Sequence, residues 1–518
     1  MFDWFKSERQ KWAMPAAETS DDVRPALPNF DPVSRDLFEK ALPRGVLLPR
    51  LEPDRERENY WMSPYQLMRH SYVPGQLIIG KLAGTYLGHM DDRPLVTIAG
   101  ARAGKTSTVL EPNLYLYPGS LLALDPKGEL SRLAAKFRRA MGHNVYVLDP
   151  FGTSDEPTAC FNPLDELNPD DPNIIDDIAA ITNALVVDAG DARSQHWNNS
   201  ARMLLVGIIL LTLTLDRSER NLVTVRELLC LTYPALVITA QREAELAAKS
   251  HEEKEAYFNK NAAATKTLLR LMARTGRGIY ARVLASVGNR FLNTPQTELG
   301  SIFSAAAAHT DFLDSLRLRR TLLRSDFRLA TLRAERPASI FLSLPVTRME
   351  THYRWMRLII ELTCKSLEQM GLYPRDRPPI WMLCEEFPAL GFMKIMENAA
   401  AAYFPGFGLK LHVVLQGIPQ LQRHYPSSWE TILGNAGLIQ MFANGDEESL
   451  RYAASRMDRL IAPFEMRTAF SRQRFSQLLL MEGLPPAAAL RLDHADVVRI
   501  RETAMMRAMG IPDGLPDI

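Results

Sequence analysis

Residues 95–109 read LVTIAGARAGKTSTV. An apolar, strand-like run ends at Ala99, a loop of small residues closes on Gly-Lys-Thr, and a helix-compatible run follows. Strand, glycine-containing turn and helix in that order point successive backbone N–H groups at a phosphate. The octet Ala99 to Thr106 departs from the strict G-x-x-x-x-G-K-[ST] pattern at its first position only. Gly100, Ala101, Arg102, Ala103, Gly104, Lys105, Thr106 and Ser107 are therefore the candidate nucleotide-binding residues. Gly104 lets the backbone turn, Lys105 reaches the β- and γ-oxygens, and the Thr106 hydroxyl is a candidate Mg²⁺ ligand. A helix beginning near Lys105 adds its positive end.

A phosphate loop binds; hydrolysis needs a second strand that presents acids. Residues 378–391, PPIWMLCEEFPALG, supply one, with apolar Ile380 to Cys384 running into Glu385 and Glu386. Glu385 suits the metal side and Glu386 the polarisation of an attacking water. Paired carboxylates at the end of a buried strand are costly unless a metal or partner uses their charge. The blander alternative is that they cap the next helix. A Glu-Glu pair replaces the more usual Asp-Glu, so metal contact is either direct or through water. A third run, LKLHVVLQ (409–416), ends at Gln416, which is either a γ-phosphate sensor or a turn residue.

Length and composition bound the rest. A chain of 518 residues predicts two or three domains, and 46% hydrophobic with 23% charged residues is ordinary for a globular protein. Lys+Arg 61 against Asp+Glu 60 leaves no global field to steer a polyanion, so any nucleic-acid contact rests on local patches. The four cysteines, Cys160, Cys230, Cys364 and Cys384, have no metal-ligand spacing and read as free thiols in a reducing compartment. The N-terminus lacks a signal-peptide core, and the longest apolar stretch, Met203 to Leu215, is shorter than the ~20 residues of a bilayer span. These features predict a cytoplasmic chain with no span of its own, so that any membrane association would be through a partner.

Five regions follow. Residues 1–75 form a Pro-rich arm; 76–190 carry short strands and the phosphate loop; 191–335 are helical by composition. Residues 336–450 return to strands with the acid pair and Gln416, and 451–518 predict a helical tail. Strands alternating with helices imply a parallel sheet, with an all-α domain inserted into it.

Taken together, these blocks resemble the coupling-protein ATPases of type IV secretion, a conjugative DNA-transfer family of the RecA/FtsK-like motor class. ALDPKGEL (123–130), VLDPFG (147–152), FNPLDEL (161–167), HWNNSARMLL (196–205), EEFPALG (385–391), QGIPQLQRHYP (416–426) and ILGNAG (432–437) carry the likeness in family order. The resemblance implies an α/β fold, a RecA-like P-loop NTPase with a mainly parallel sheet and an all-α insertion. It implies ATP and Mg²⁺ as cofactors, Glu386 as catalytic base, Glu385 and Thr106 on the metal, and Gln416 as sensor. Asp125 and Lys127 would organise the site or a subunit contact. It further implies a homo-hexamer completed by a neighbour's arginine. Arg319, Arg320 and Arg324 are candidates in LRLRRTLLRSDF (316–327), a stretch that otherwise reads as a solvated face. The implied partners are DNA, a relaxase or effector proteins, and components of the secretion channel. Two rival functions are a nucleotide-binding adaptor with little turnover and a DNA translocase unconnected to secretion.

Overall fold

A computed structural model describes residues 61–187, 192–247, 260–276, 278–400, 404–457 and 461–508. Residues 1–60 of the Pro-rich arm, part of the charged stretch 241–260 and the last ten residues of the tail lie outside them. The end of the arm holds a short helix, Pro64–Met68, opened by a reciprocal cap. Ser63 Oγ accepts from Gln66 N at 3.2 Å, and Gln66 Oε1 accepts from Ser63 N at 2.9 Å.

The described residues build one sheet from eleven strands: β1 (Leu77–Leu82), β2 (Thr85–His89), β3 (Leu95–Ala99), β4 (Leu121–Asp125), β5 (Asn144–Leu148), β6 (Ala338–Ser343), β7 (Ile380–Cys384), β8 (Leu409–Leu415), β9 (Leu438–Phe442), β10 (Ser476–Met481) and β11 (Ala487–Leu490). Their order is β2-β1-β11-β10-β9-β3-β8-β7-β4-β6-β5. From β9 to β5 every pairing is parallel. The four strands beyond β9 pair antiparallel.

The parallel strands β3, β4, β6, β7, β8 and β9 are buried along their whole length. This is why they read as continuous apolar runs and not as alternating ones. One face packs Val96, Ile98, Leu122, Leu124, Met382 and Val413 into the core shared with the helix Val346–Gln369 and the helical insertion. The other packs Leu95, Ala99, Leu121, Ala123, Trp381 and Leu383 into a second core with Leu110, Leu114, Leu130 and Ala134.

The RecA-like expectation of a mainly parallel sheet with an inserted helical region is met. Between β5 and β6 the described residues form helices and turns and no strand. The apolar stretch Met203 to Leu215 falls mainly in the helix Ala192–Thr212, with Leu204, Leu205, Ile208 and Ile209 fully buried. One stretch, Leu222–Glu243, has the length and apolarity to cross a membrane, with 44% of it buried. It comprises two helices, Leu222–Leu229 and one that opens at Pro234.

The stretch 451–518 differs from the expected helical tail. It holds the helices Pro463–Ala469 and His494–Ala508 but also β10 and β11, which sit in the sheet between β9 and β1. Its leucines and alanines are good helix formers, yet Leu478 and Leu479 face Met441 and Gln440 across the sheet. Packing overrides local propensity there.

Candidate functional site

Register brings the site together. Ile98 pairs with Leu415, Cys384 with Val413, and Leu124 with Cys384. The C-terminal ends of β3, β8, β7 and β4 therefore lie along one edge, where open α/β sheets hold their ligands. That edge carries the phosphate loop, Gln416, Glu385-Glu386 and Asp125.

The missing first glycine of the loop motif has a simple explanation. Ala99 is the last residue of β3, wholly buried and paired with Phe442, a strand position that any small residue fills. The close approach falls one residue later, where a Cβ on Gly100 would lie 2.3 Å from the Ala443 carbonyl oxygen. The turn itself uses positive φ at Arg102 (55°) and Gly104 (89°). Beyond it, Thr108 N and Oγ1 both donate to Gly104 O, at 2.9 and 2.8 Å, and Thr106–Leu110 winds as one π turn. Lys105 Nζ folds back onto its own loop, donating to Ala99 O at 2.7 Å and Gly100 O at 3.1 Å. Burial lowers its pKa, while Glu386 and Glu385 oppose that shift.

The two acids differ in environment. Glu385 is 3% exposed; Thr106 Oγ1 lies 3.4 Å from its Oε1, and its buried Oε2 has no hydrogen-bond partner. Burial first, then the charge of Asp125, pushes its carboxyl up to about 7, against the pull of Lys127. Glu386 takes φ 53°, and Gln416 Nε2 donates to its two carboxylate oxygens at 3.1 and 3.3 Å. Gln416 N in turn donates to Gln420 Oε1 at 2.9 Å. Gln416 is thus hydrogen-bonded to Glu386.

Other sequence candidates fall elsewhere. Asp125 is fully buried and caps the helix Glu129–Ala140, accepting from Leu130 N at 3.0 Å, Ser131 N at 2.8 Å and Ser131 Oγ at 2.6 Å. Lys127 is exposed, and its charge acts on Glu385. In the arginine-rich stretch Arg319 pairs with Glu227, Arg324 pairs with Asp326 at 3.2 Å, and Arg320 is exposed. One contact carried no sequence signal: Arg491, at the end of β11, donates from Nη1 to Ala103 O at 2.6 Å.

Fold and site define a class: an α/β phosphate-loop protein whose acid strand lies two strands from the loop, with one intervening strand that ends in glutamine. Comparison with known proteins narrows the class. Residues 67–458 match the family model described as Type IV secretory system Conjugative DNA transfer, and the chain belongs to that family. It is 26% identical over 347 residues to the conjugal transfer protein TraG of Escherichia coli, covering 65% of this chain and 50% of that one. It is 25% identical over 393 residues to protein VirD4 of Rhizobium radiobacter, covering 74% and 52%. The chain thus spans about half the length of these relatives. Among solved structures it resembles plasmid coupling protein TrwB in complex with the ATP analogue ADPNP, with TM-score 0.59, 12% identity and coverage of 84% and 93%. TrwB in complex with ADP and Mg²⁺ aligns at TM-score 0.58 and 13% identity, covering 85% and 95%. At that identity the likeness concerns the fold.

Proposed function

We propose that this chain is an ATPase that couples hydrolysis to the delivery of DNA, or of nucleoprotein or protein effectors, into a type IV secretion channel. The observation that carries the hydrolytic part is the convergence of Lys105, Thr106, Glu385, Glu386 and Gln416 on one sheet edge. Family membership supports the transport part, and TrwB, the fold neighbour, has been solved with ADPNP and with ADP and Mg²⁺.

In this reading the backbone N–H groups of Gly100 to Gly104 cradle the phosphates, with Ser107 at the first turn of the helix. The Lys105 ammonium exchanges its two loop carbonyls for phosphate oxygens. Thr106 Oγ1 and the unpartnered Glu385 Oε2 fit Mg²⁺, which keeps most of its shell as water and phosphate and needs few protein ligands. When bound, the ion would neutralise part of the negative charge on the phosphates. Glu386 orients and polarises the attacking water, and the Gln416 amide holds that carboxylate in place. The working assembly would be a homo-hexamer with relaxase or effector and channel partners, held at the cytoplasmic face of the inner membrane through those partners.

The adaptor reading, binding with little turnover, is favoured by the sequence departures at the site: Glu385 in place of the usual aspartate and Ala99 in place of the first glycine. ATPase rates of the purified chain with and without single-stranded or duplex DNA separate the two. A motor shows DNA-stimulated turnover, reduced roughly 10²–10⁴-fold in Glu386→Gln and abolished with binding in Lys105→Ala. Wild-type turnover no faster than in those variants, with ATP still bound, would establish the adaptor.

A further inference from the structure

Arg491 closes β11, 388 residues along the chain from the loop carbonyl it binds. It is 2% exposed, with its guanidinium 4.5 Å from the Phe442 ring centroid and 5.1 Å from that of Phe475. Nη1 donates to Ala103 O at 2.6 Å and Nη2 to Arg472 O at 3.0 Å, while the buried Nε has no partner. Among the described residues no carboxylate forms an ion pair with it. A buried guanidinium with no counter-charge is expensive, and two aromatic faces and two carbonyls offset only part of the cost. Burial and the neighbouring Arg472 accordingly lower its pKa to about 10, which leaves it charged at neutral pH. Nη1 lies 3.6 Å from where a Cβ on Gly104 would stand, so this cation adjoins the turn that would hold phosphate.

The peptide geometry gives the contact a second consequence. The peptides of the described chain are trans, so the C=O and N–H of one unit point opposite ways. Fixing Ala103 O on Arg491 fixes the Gly104 N–H on the other side of that peptide. The strand order matters as well. The acids lie on the β8–β7 side of β3, whereas Arg491 comes from the β9–β10–β11 side, away from the end where a γ-phosphate would meet Glu386.

We propose that Arg491 is a positioning residue for nucleotide binding, holding the Ala103–Gly104 peptide with its N–H toward the phosphates and adding a buried positive charge behind the loop. This rests on the nucleotide-binding reading above. It makes the C-terminal strand pair part of the site, because unpairing β11 would withdraw the arginine from the loop.

The test compares Arg491→Gln and Arg491→Lys in the full chain, with Arg226→Lys as a control. Arg226 is a similarly buried arginine of the helical insertion that donates to Ala307 O and pairs with Asp314. Binding of ATP and ADP is measured by fluorescence of a labelled analogue, beside thermal midpoints and ATPase kinetics. Loss of one charge-assisted hydrogen bond predicts Kd for both nucleotides about tenfold weaker in Arg491→Gln, with KM rising more than kcat falls. Arg491→Lys, which keeps the charge, recovers part of the loss and serves where the glutamine variant does not fold. The control lowers the thermal midpoint without changing Kd. Wild-type Kd in both Arg491 variants, or an equal loss in Arg226→Lys, overturns the proposal. If Lys105→Ala abolishes binding while both Arg491 variants bind normally, only this inference falls; a wild-type chain that binds no nucleotide overturns the function as well.

Discussion

Two acids end adjacent strands and lie side by side, yet the chain treats them in opposite ways. Asp125, at the end of β4, is fully buried and takes three hydrogen bonds of 3.0 Å or less from the first turn of the next helix. Glu385, following β7, is 3% exposed and leaves Oε2 with no partner. Burial raises the pKa of both. The first acid is compensated from within the fold; the second keeps one carboxylate oxygen without a hydrogen-bond partner. Under the proposed function the satisfied acid is structural, and the unsatisfied one beside the phosphate loop is the candidate ligand-binding group.

Two substitutions test that distinction, and a third tests the amide beside Glu386. Asp125→Asn should have the largest effect, because the amide group must face donors that now meet carboxylate oxygen. Unfolding free energy should fall by about 2–4 kcal/mol in a denaturant titration, and an unchanged midpoint would show that the cap contributes little. Glu385→Gln should move stability the other way. With its pKa raised from 4.5 to about 7, the folded carboxyl holds a proton across that window while the unfolded one releases it. Its contribution is therefore present below about pH 4.5 and is lost as pH rises through 7. The variant should be more stable than wild type by about 1–3 kcal/mol at pH 8 without nucleotide, the gap closing toward pH 5, while Mg²⁺-dependent nucleotide binding weakens. Equal stability at pH 8 would remove the contrast between the two acids. Gln416→Ala should have the smallest effect, slowing turnover about tenfold, the worth of one hydrogen bond to a charged group. A rate within about twofold of wild type would return Gln416 to the role of a turn residue.

Much of the site was legible because it consists of short contiguous pieces. AGARAGKT, CEEF and VVLQ each announce a strand end followed by chemistry, and those pieces meet in space. Asp125 was legible as important but not as a cap; its partners are two main-chain N–H groups five and six residues on and the Ser131 hydroxyl, set by the left-handed Gly128 that opens the helix. In the arginine-rich stretch Arg319 and Arg324 are paired with acids of the same chain, partners that the sequence did not name. The C-terminal strands were missed because SQLLLM and AAAL carry the residues of a helix and acquire strand geometry only by pairing with β9 and β1.

Local sequence alone named the pieces of the candidate site: a glycine-containing loop, two carboxylates and an amide, each written within a few residues of a buried strand. Only the tertiary structure decided who their neighbours are. Strand order placed β8 between the loop and the acids, register aligned their ends, and an antiparallel strand pair carried Arg491 back to Ala103. Local chemistry is encoded by neighbours in the chain, whereas strand order and burial are settled by which apolar faces the whole chain can cover at once.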